Sequence, residues 1–131
     1  MNQFQTKTYS VNDFVEWKEG GILELSPKFQ RRKVWPQKAK SYLLDSVIRG
    51  KPTPKILIRE HISTATRKTM REVVDGQQRL RAIFEYMEDA FPVCRTNNEE
   101  YAGAYFSTLP DQVQTSIRAY QIATDCLINI S

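Results

Sequence analysis

Histidine and cysteine are nearly absent from this 131-residue chain, which carries one histidine, His61, and two cysteines, Cys94 and Cys126. The cysteines lie far apart and outside any CxxC pair, so a structural zinc site lacks ligands and both are expected as free thiols. With no histidine close to Cys94 in sequence and no Ser/His/Asp set, nucleophilic hydrolysis of the protease type has no machinery here. His61, standing alone, is expected on the surface of a connection. A Gly-x-x-x-x-Gly-Lys-Ser/Thr loop is missing, which excludes a P-loop NTPase. Apolar runs are too short to span a bilayer, and the opening Met-Asn-Gln-Phe-Gln lacks a secretory apolar region, so the chain is expected in the cytosol with no membrane role. Internal repeats and low-complexity segments are also lacking.

What is present is enough chain to bury a core and an uneven distribution of charge. The net charge is +4. Lys28 to Lys51 holds eight basic residues against Asp45 alone, while Glu85 to Asp111 holds six acidic residues against Arg95 alone. This segregation predicts one positive and one negative face. A positive face suits polyphosphate or nucleic acid, and on charge alone an ordinary solvated surface explains it equally well.

The most informative stretch is Val73 to Met87. Two β-branched residues run into Asp75-Gly76, a turn signal, and Leu80, Ile83, Phe84 and Met87 then follow at i, i+3, i+4 and i+7. The pattern predicts strand, tight turn and helix. Gly76 tolerates positive φ, and the first backbone N–H groups of the helix, at Gln77, Gln78 and Arg79, have no intrahelical acceptor. Those donors, the helix dipole and the Arg79 guanidinium together suit an anion, with phosphate the obvious guest. Two amides and an arginine in one first turn exceed what helix propensity demands.

The rest of the chain predicts alternating elements. Ser10-Val-Asn-Asp13 has capping-box spacing, with Val11, Phe14, Val15 and Trp17 as an apolar face ended by Gly20-Gly21. A brief strand at 22–25 follows. Pro36 fits a first helical turn, and Ala39, Leu43, Leu44, Val47 and Ile48 line a helix closed by Gly50. Trp35 is expected as a core anchor. Residues 55–59 and 71–74 read as strands of an antiparallel hairpin, with 60–70 as a long polar tip. Residues 89–104 read as irregular, Leu109-Pro110-Asp111 opens another helix, and 122–130 alternate as a strand. A strand reaching the last residues suggests an N-terminal piece of a longer protein.

Three separate motifs carry a family pattern: Phe29-Gln30-Arg31 with Val34-Trp35, Leu44-Asp45-Ser46-Val47-Ile48-Arg49-Gly50-Lys51-Pro52-Thr53-Pro54, and Asp75-Gly76-Gln77-Gln78-Arg79. In this order and spacing they resemble the N-terminal domain of GmrSD-type restriction endonucleases, from about Ser10 to the end of the chain. More distantly, Gly76 to Ala82 resembles the Gly-Glu-Arg-Arg-x-Arg-Ala nucleotide-binding box of ParB partition proteins. Gln77 stands where ParB has glutamate and Gln78 where it has arginine, so ParB's cytidine preference and clamping do not carry over. The resemblance implies an α/β (mixed α+β) fold of the ParB/sulfiredoxin type, a small mixed sheet flanked by helices, forming a single nucleotide-binding domain over 1–131. It further implies a modification-dependent restriction or anti-phage system in which this domain binds a nucleoside triphosphate with Mg²⁺. Hydrolysis is expected but open. A separate C-terminal or partner nuclease domain, often of the HNH type, cuts modified DNA. One histidine and no HNH constellation leave this segment without that nuclease chemistry.

On this basis Gly76, Gln77 and Gln78 are assigned backbone contacts to phosphate, with Arg79 as the main charge-assisted donor. Gln30 and Arg31, carried over from the family motif, are expected to meet the same pocket. Asp75 is assigned either a helix cap or the positioning of Mg²⁺ or water, and the two are compatible. Arg32, Lys33, Lys38 and Lys40 are candidates for DNA-backbone contact, with a solvated helix face as the equal alternative. The rival function is a DNA-binding module that uses the basic 28–51 stretch without nucleotide chemistry. Homo-oligomerisation is left open by the sequence.

Overall fold

The structure, a computed structural model, describes residues 2–25, 35–94 and 99–129. At Ser10 two elements meet. Its hydroxyl accepts the Asp13 N–H at 3.0 Å while the Asp13 carboxylate accepts the Ser10 N–H at 2.9 Å, the reciprocal cap that the sequence spacing calls for. Before it lies β1 (Asn2–Ser10) and after it α1 (Val11–Glu19). Phe14 of α1 is fully buried, edge-on to Tyr9 at 6.2 Å and to Trp17 at 4.9 Å between ring centroids. These aromatic contacts fasten the helix to the strand it follows.

The chain divides into two compact units. The first contains β1, α1, β2 (Leu23–Glu24), β3 (Ile56–Ile62), β4 (Thr69–Asp75) and β5 (Gln121–Asn129). Its five strands form one sheet in the order β1-β5-β3-β4-β2. β1 with β5 and β3 with β4 are antiparallel, whereas β3 with β5 and β2 with β4 are parallel. Register places Val73, Ile58 and Cys126 side by side across three strands, and all are fully buried. Residues directly opposite share a face, so this row is the apolar centre of the sheet.

The second unit contains α2 (Gln37–Ile48), α3 (Gln77–Met87) from Gln78 onward, and α4 (Asp111–Ala119). Leu43, Leu44 and Val47 are the buried side of α2, as the periodicity predicts. On α3 the buried stripe is wider than Leu80, Ile83 and Phe84, because Ala82 and Tyr86 are inside too. Tyr86, unassigned by sequence, donates its hydroxyl to the Ala104 carbonyl at 3.1 Å and packs against Phe91 and Phe106. A large aromatic is thus buried with its one polar atom satisfied.

Four helices and a five-stranded mixed sheet among the described residues make this an α+β fold, as expected. Several boundaries differ from expectation. β1 was not foreseen, since its residues are mostly polar and form a strand through nine consecutive pairs with β5. β3 runs to Ile62, so His61 lies within a strand and not on the connection. The hairpin tip shrinks to residues 63–68, closed by Ser63 N–H to Lys68 O at 2.9 Å. Trp35 is half-buried, and Cys94 and Cys126 are free thiols.

Phe14→Ala is expected to lower unfolding free energy by about 3–5 kcal/mol, measured by urea denaturation, because it empties a buried aromatic site. A second expectation concerns alkaline pH. Burial, aided by Cys126 and Glu60 and opposed by Arg71, raises the Tyr9 hydroxyl from 10.0 to about 12. The folded chain therefore holds this proton more tightly than the unfolded chain does. That contribution to stability is complete below about pH 10 and is lost as pH rises towards 12. Urea midpoints should fall across this window, and the fall should be shallower in Tyr9→Phe.

Candidate functional site

The strand-to-helix junction at Asp75 to Arg79 forms as the sequence predicts. β4 ends at the exposed Asp75, which stands opposite Leu57 after a register shift between Leu57 and Ile58. Gly76 is buried with φ +104°, a conformation that side-chain-bearing residues rarely adopt. α3 then starts at Gln77. Its first-turn N–H groups have no intrahelical acceptor, and the positive end of the helix dipole lies there.

Gln77 has a second role that sequence reasoning missed. Only 5 % of it is exposed, and its Nε2 donates to the Val73 and Val74 carbonyls, each at 3.1 Å. The side chain is therefore committed to β4. A glutamine four residues after a strand carbonyl, across an Asp-Gly turn, is the signal that could have suggested this return. Gln78 and Arg79 are half-buried, and the Nε atoms of Arg79 and Arg81 are shielded from solvent. Such an arginine is held more rigidly than a free surface cation, which suits a directed contact.

The other expected residues divide. Gln30, Arg31, Arg32 and Lys33 lie outside the described residues. Lys38 is exposed on α2. Lys40 instead bonds Glu85 at 2.9 Å and sits 5.9 Å from the Phe91 ring centroid. The basic and acidic stretches of the sequence thus neutralise each other at this point.

A buried carboxylate near the junction was also not foreseen. Glu72, three residues before Asp75 on β4, is 3 % exposed and pairs with Arg59 Nη2 at 2.6 Å. Arg59 and Glu72 are direct register partners across the hairpin. Both lie within the predicted strands 55–59 and 71–74, and only the hairpin register, which sets opposite charges across the ladder, was missing. Removing Arg59 would take this counter-charge from a buried carboxylate, whereas Arg59 itself is partly open to solvent. Elsewhere a cleft of about 350 Å³ is lined by Ile48, Arg49, Glu100, Tyr101, Gln112, Val113 and Ser116, and it contains none of the expected phosphate contacts. Among the described residues, no group of three or more His, Cys, Asp or Glu is placed to hold a metal ion.

Among the described residues no helix is long and apolar enough to cross a membrane. No curated protein and no solved structure matches this sequence. The family model for the GmrSD restriction endonuclease N-terminal domain matches residues 11–130, which contain the whole Asp75–Arg79 junction. With nearly its full length matched in this way, the chain belongs to the family of GmrSD restriction endonuclease N-terminal domains and is a restriction-system component.

Proposed function

We propose that this chain is a nucleotide-binding domain that takes a nucleoside triphosphate at the Asp75–Arg79 junction. The observation that supports it best is Gly76 at φ +104° opening α3, directly beside an arginine whose Nε is shielded from solvent. At such a turn the first backbone N–H groups of the helix have no intrahelical acceptor, and glycine removes the side chain that would keep a phosphate at a distance. The family match and the likeness of Gly76 to Ala82 to the ParB nucleotide box support the same ligand.

In this reading the N–H groups of Gly76, Gln77 and Gln78 contact phosphate oxygens, and Arg79 supplies the charge-assisted donor. Gln30 and Arg31 complete the pocket by the family pattern. The donor set fits a magnesium–phosphate group, since Asp75 is an exposed carboxylate and Mg²⁺ commonly takes one or two protein carboxylates, with phosphate and water for the rest. Bound there, Mg²⁺ would offset phosphate charge. Hydrolysis, in turn, would rest on positioning the phosphates and on Asp75 orienting a water. The domain would act as one nucleotide-binding module of a longer protein or complex. A separate nuclease domain of HNH type would cut modified DNA in response.

Calorimetric titration with each of the four ribonucleoside triphosphates and Mg²⁺ tests the reading. Binding is expected for at least one, and Arg79→Ala should lose it while retaining a cooperative thermal transition. Binding retained by a folded Arg79→Ala chain would remove that residue from the site, and no binding by the folded parent would overturn the function. Asp75→Asn should weaken the Mg²⁺-dependent part of binding and leave the Mg²⁺-free part nearly unchanged. If the two titrations shift equally, Asp75 acts on the turn and not on the metal.

A further inference from the structure

We propose that the outward face of α2 is a contact surface for the phosphate backbone of duplex DNA, built from Lys38, Tyr42, Arg49 and the adjoining Lys51. The inference stands apart from the nucleotide reading and shares no residue with it. Lys38, Tyr42 and Arg49 follow at i, i+4 and i+11, so they project within about 40° of one another along roughly 16 Å of helix. The buried residues of the same helix are Ser41, Leu43, Leu44, Asp45 and Val47, and of these Asp45 lies beneath the outward row, where it pairs with Arg49.

Tyr42 is 64 % exposed, among the most exposed large side chains described, and makes no contribution to the core. An aromatic left in water between two cations is unnecessary for folding and suits a partner with anionic and flat surfaces. Lys38 and Lys51 are exposed and form no ion pair among the described residues. Arg49 is held by one edge only, through Nε to Asp45 Oδ1 at 2.7 Å. That bond orients the guanidinium and leaves its terminal nitrogens for an incoming anion. The acidic groups acting on Arg49 are Asp45 and Glu100, and Asp45 is only 7 % exposed. Lys40, on the same helix, is spent on Glu85.

Cations about 16 Å apart on one helix face can meet separate phosphates of a DNA strand, whose charges recur about every 3.4 Å of axis, and a tyrosine hydroxyl serves as a phosphate or sugar contact. An acidic protein offers no such regular spacing, and membership of a restriction endonuclease family makes DNA the available polyanion. Contacts of this kind position the protein on the duplex without reading bases.

Fluorescence anisotropy with a labelled duplex of about 20 base pairs, between about 50 and 200 mM salt, tests this. The intact chain should bind, and Lys38→Ala should reduce the steepness of log affinity against log salt by about one. Tyr42→Ala should weaken binding at every salt concentration with the slope unchanged, since no charge is removed. Lys40→Ala should match the parent in both, with thermal melts confirming that every variant is folded. The proposal is overturned by any of three results: no duplex binding, a Lys38→Ala chain that behaves as the parent, or Lys40→Ala costing as much as Lys38→Ala. Equal competition by polyglutamate would also overturn it, marking the face as one for acidic proteins.

Discussion

Gln77 ties the end of the sheet to the start of a helix. Its buried amide gives both protons to carbonyls of Val73 and Val74, at the point where the chain turns through the positive φ of Gly76. Each such bond contributes only about 0.5–1.5 kcal/mol net, but a buried carbonyl deprived of its donor costs more than the bond was worth. The geometry therefore has few alternatives: a residue other than glycine at 76 would be strained, and a residue without a side-chain N–H at 77 would lose both of these bonds. What emerges is a Gln77 side chain fixed on the last residues of β4, at the residue where α3 begins. Preorganised donors at a helix start bind anions without first having to be ordered.

Around that junction, charge is used in two distinct ways. Arg59 and Glu72 face each other across the hairpin with the carboxylate nearly sealed from water, so the pair confers pairing specificity more than net stability. Lys40 and Glu85 join the basic and acidic stretches of the sequence, with the carboxylate in particular more open to solvent, which makes the pair weaker. After these internal pairings, the outer side of α2 retains cations beside an exposed aromatic. The raw count of lysines and arginines thus overstates how positive this helix face is, since Lys40 is paired with Glu85 and Arg49 with Asp45.

Local chemistry made much of this legible in the sequence. The capping box at Ser10 and Asp13, the periodicity of α2, the opening of α4 at Leu109-Pro110-Asp111, the alternation of β5 and the strand–turn–helix at 73–87 are all written in neighbouring residues, and the structure forms each of them. β1 was illegible because its largely polar residues show no core-facing alternation and gain their conformation from β5, more than a hundred positions away. His61 and Glu60 were read as loop for a similar reason. The strand continues through Glu60 because β4 and β5 pair with it on either side, and through His61 because Met70 of β4 pairs with it. Tyr86 was passed over as one of several scattered tyrosines, and only its neighbours Phe91 and Phe106 make it core.

The candidate site divides along the same line. The sequence by itself determined the turn, the glycine, the first-turn donors and the arginine, since a helix start depends on residues within a few positions of each other. Tertiary structure alone decided that the Gln77 side chain is committed to β4, that Glu72 is a buried partner of Arg59, and that Lys38 remains available while Lys40 does not. The physical reason is that a charged or amide side chain takes its role from whichever acceptor or counter-ion the fold brings to it. Those partners come from other strands and helices, and spacing along the chain carries no record of them.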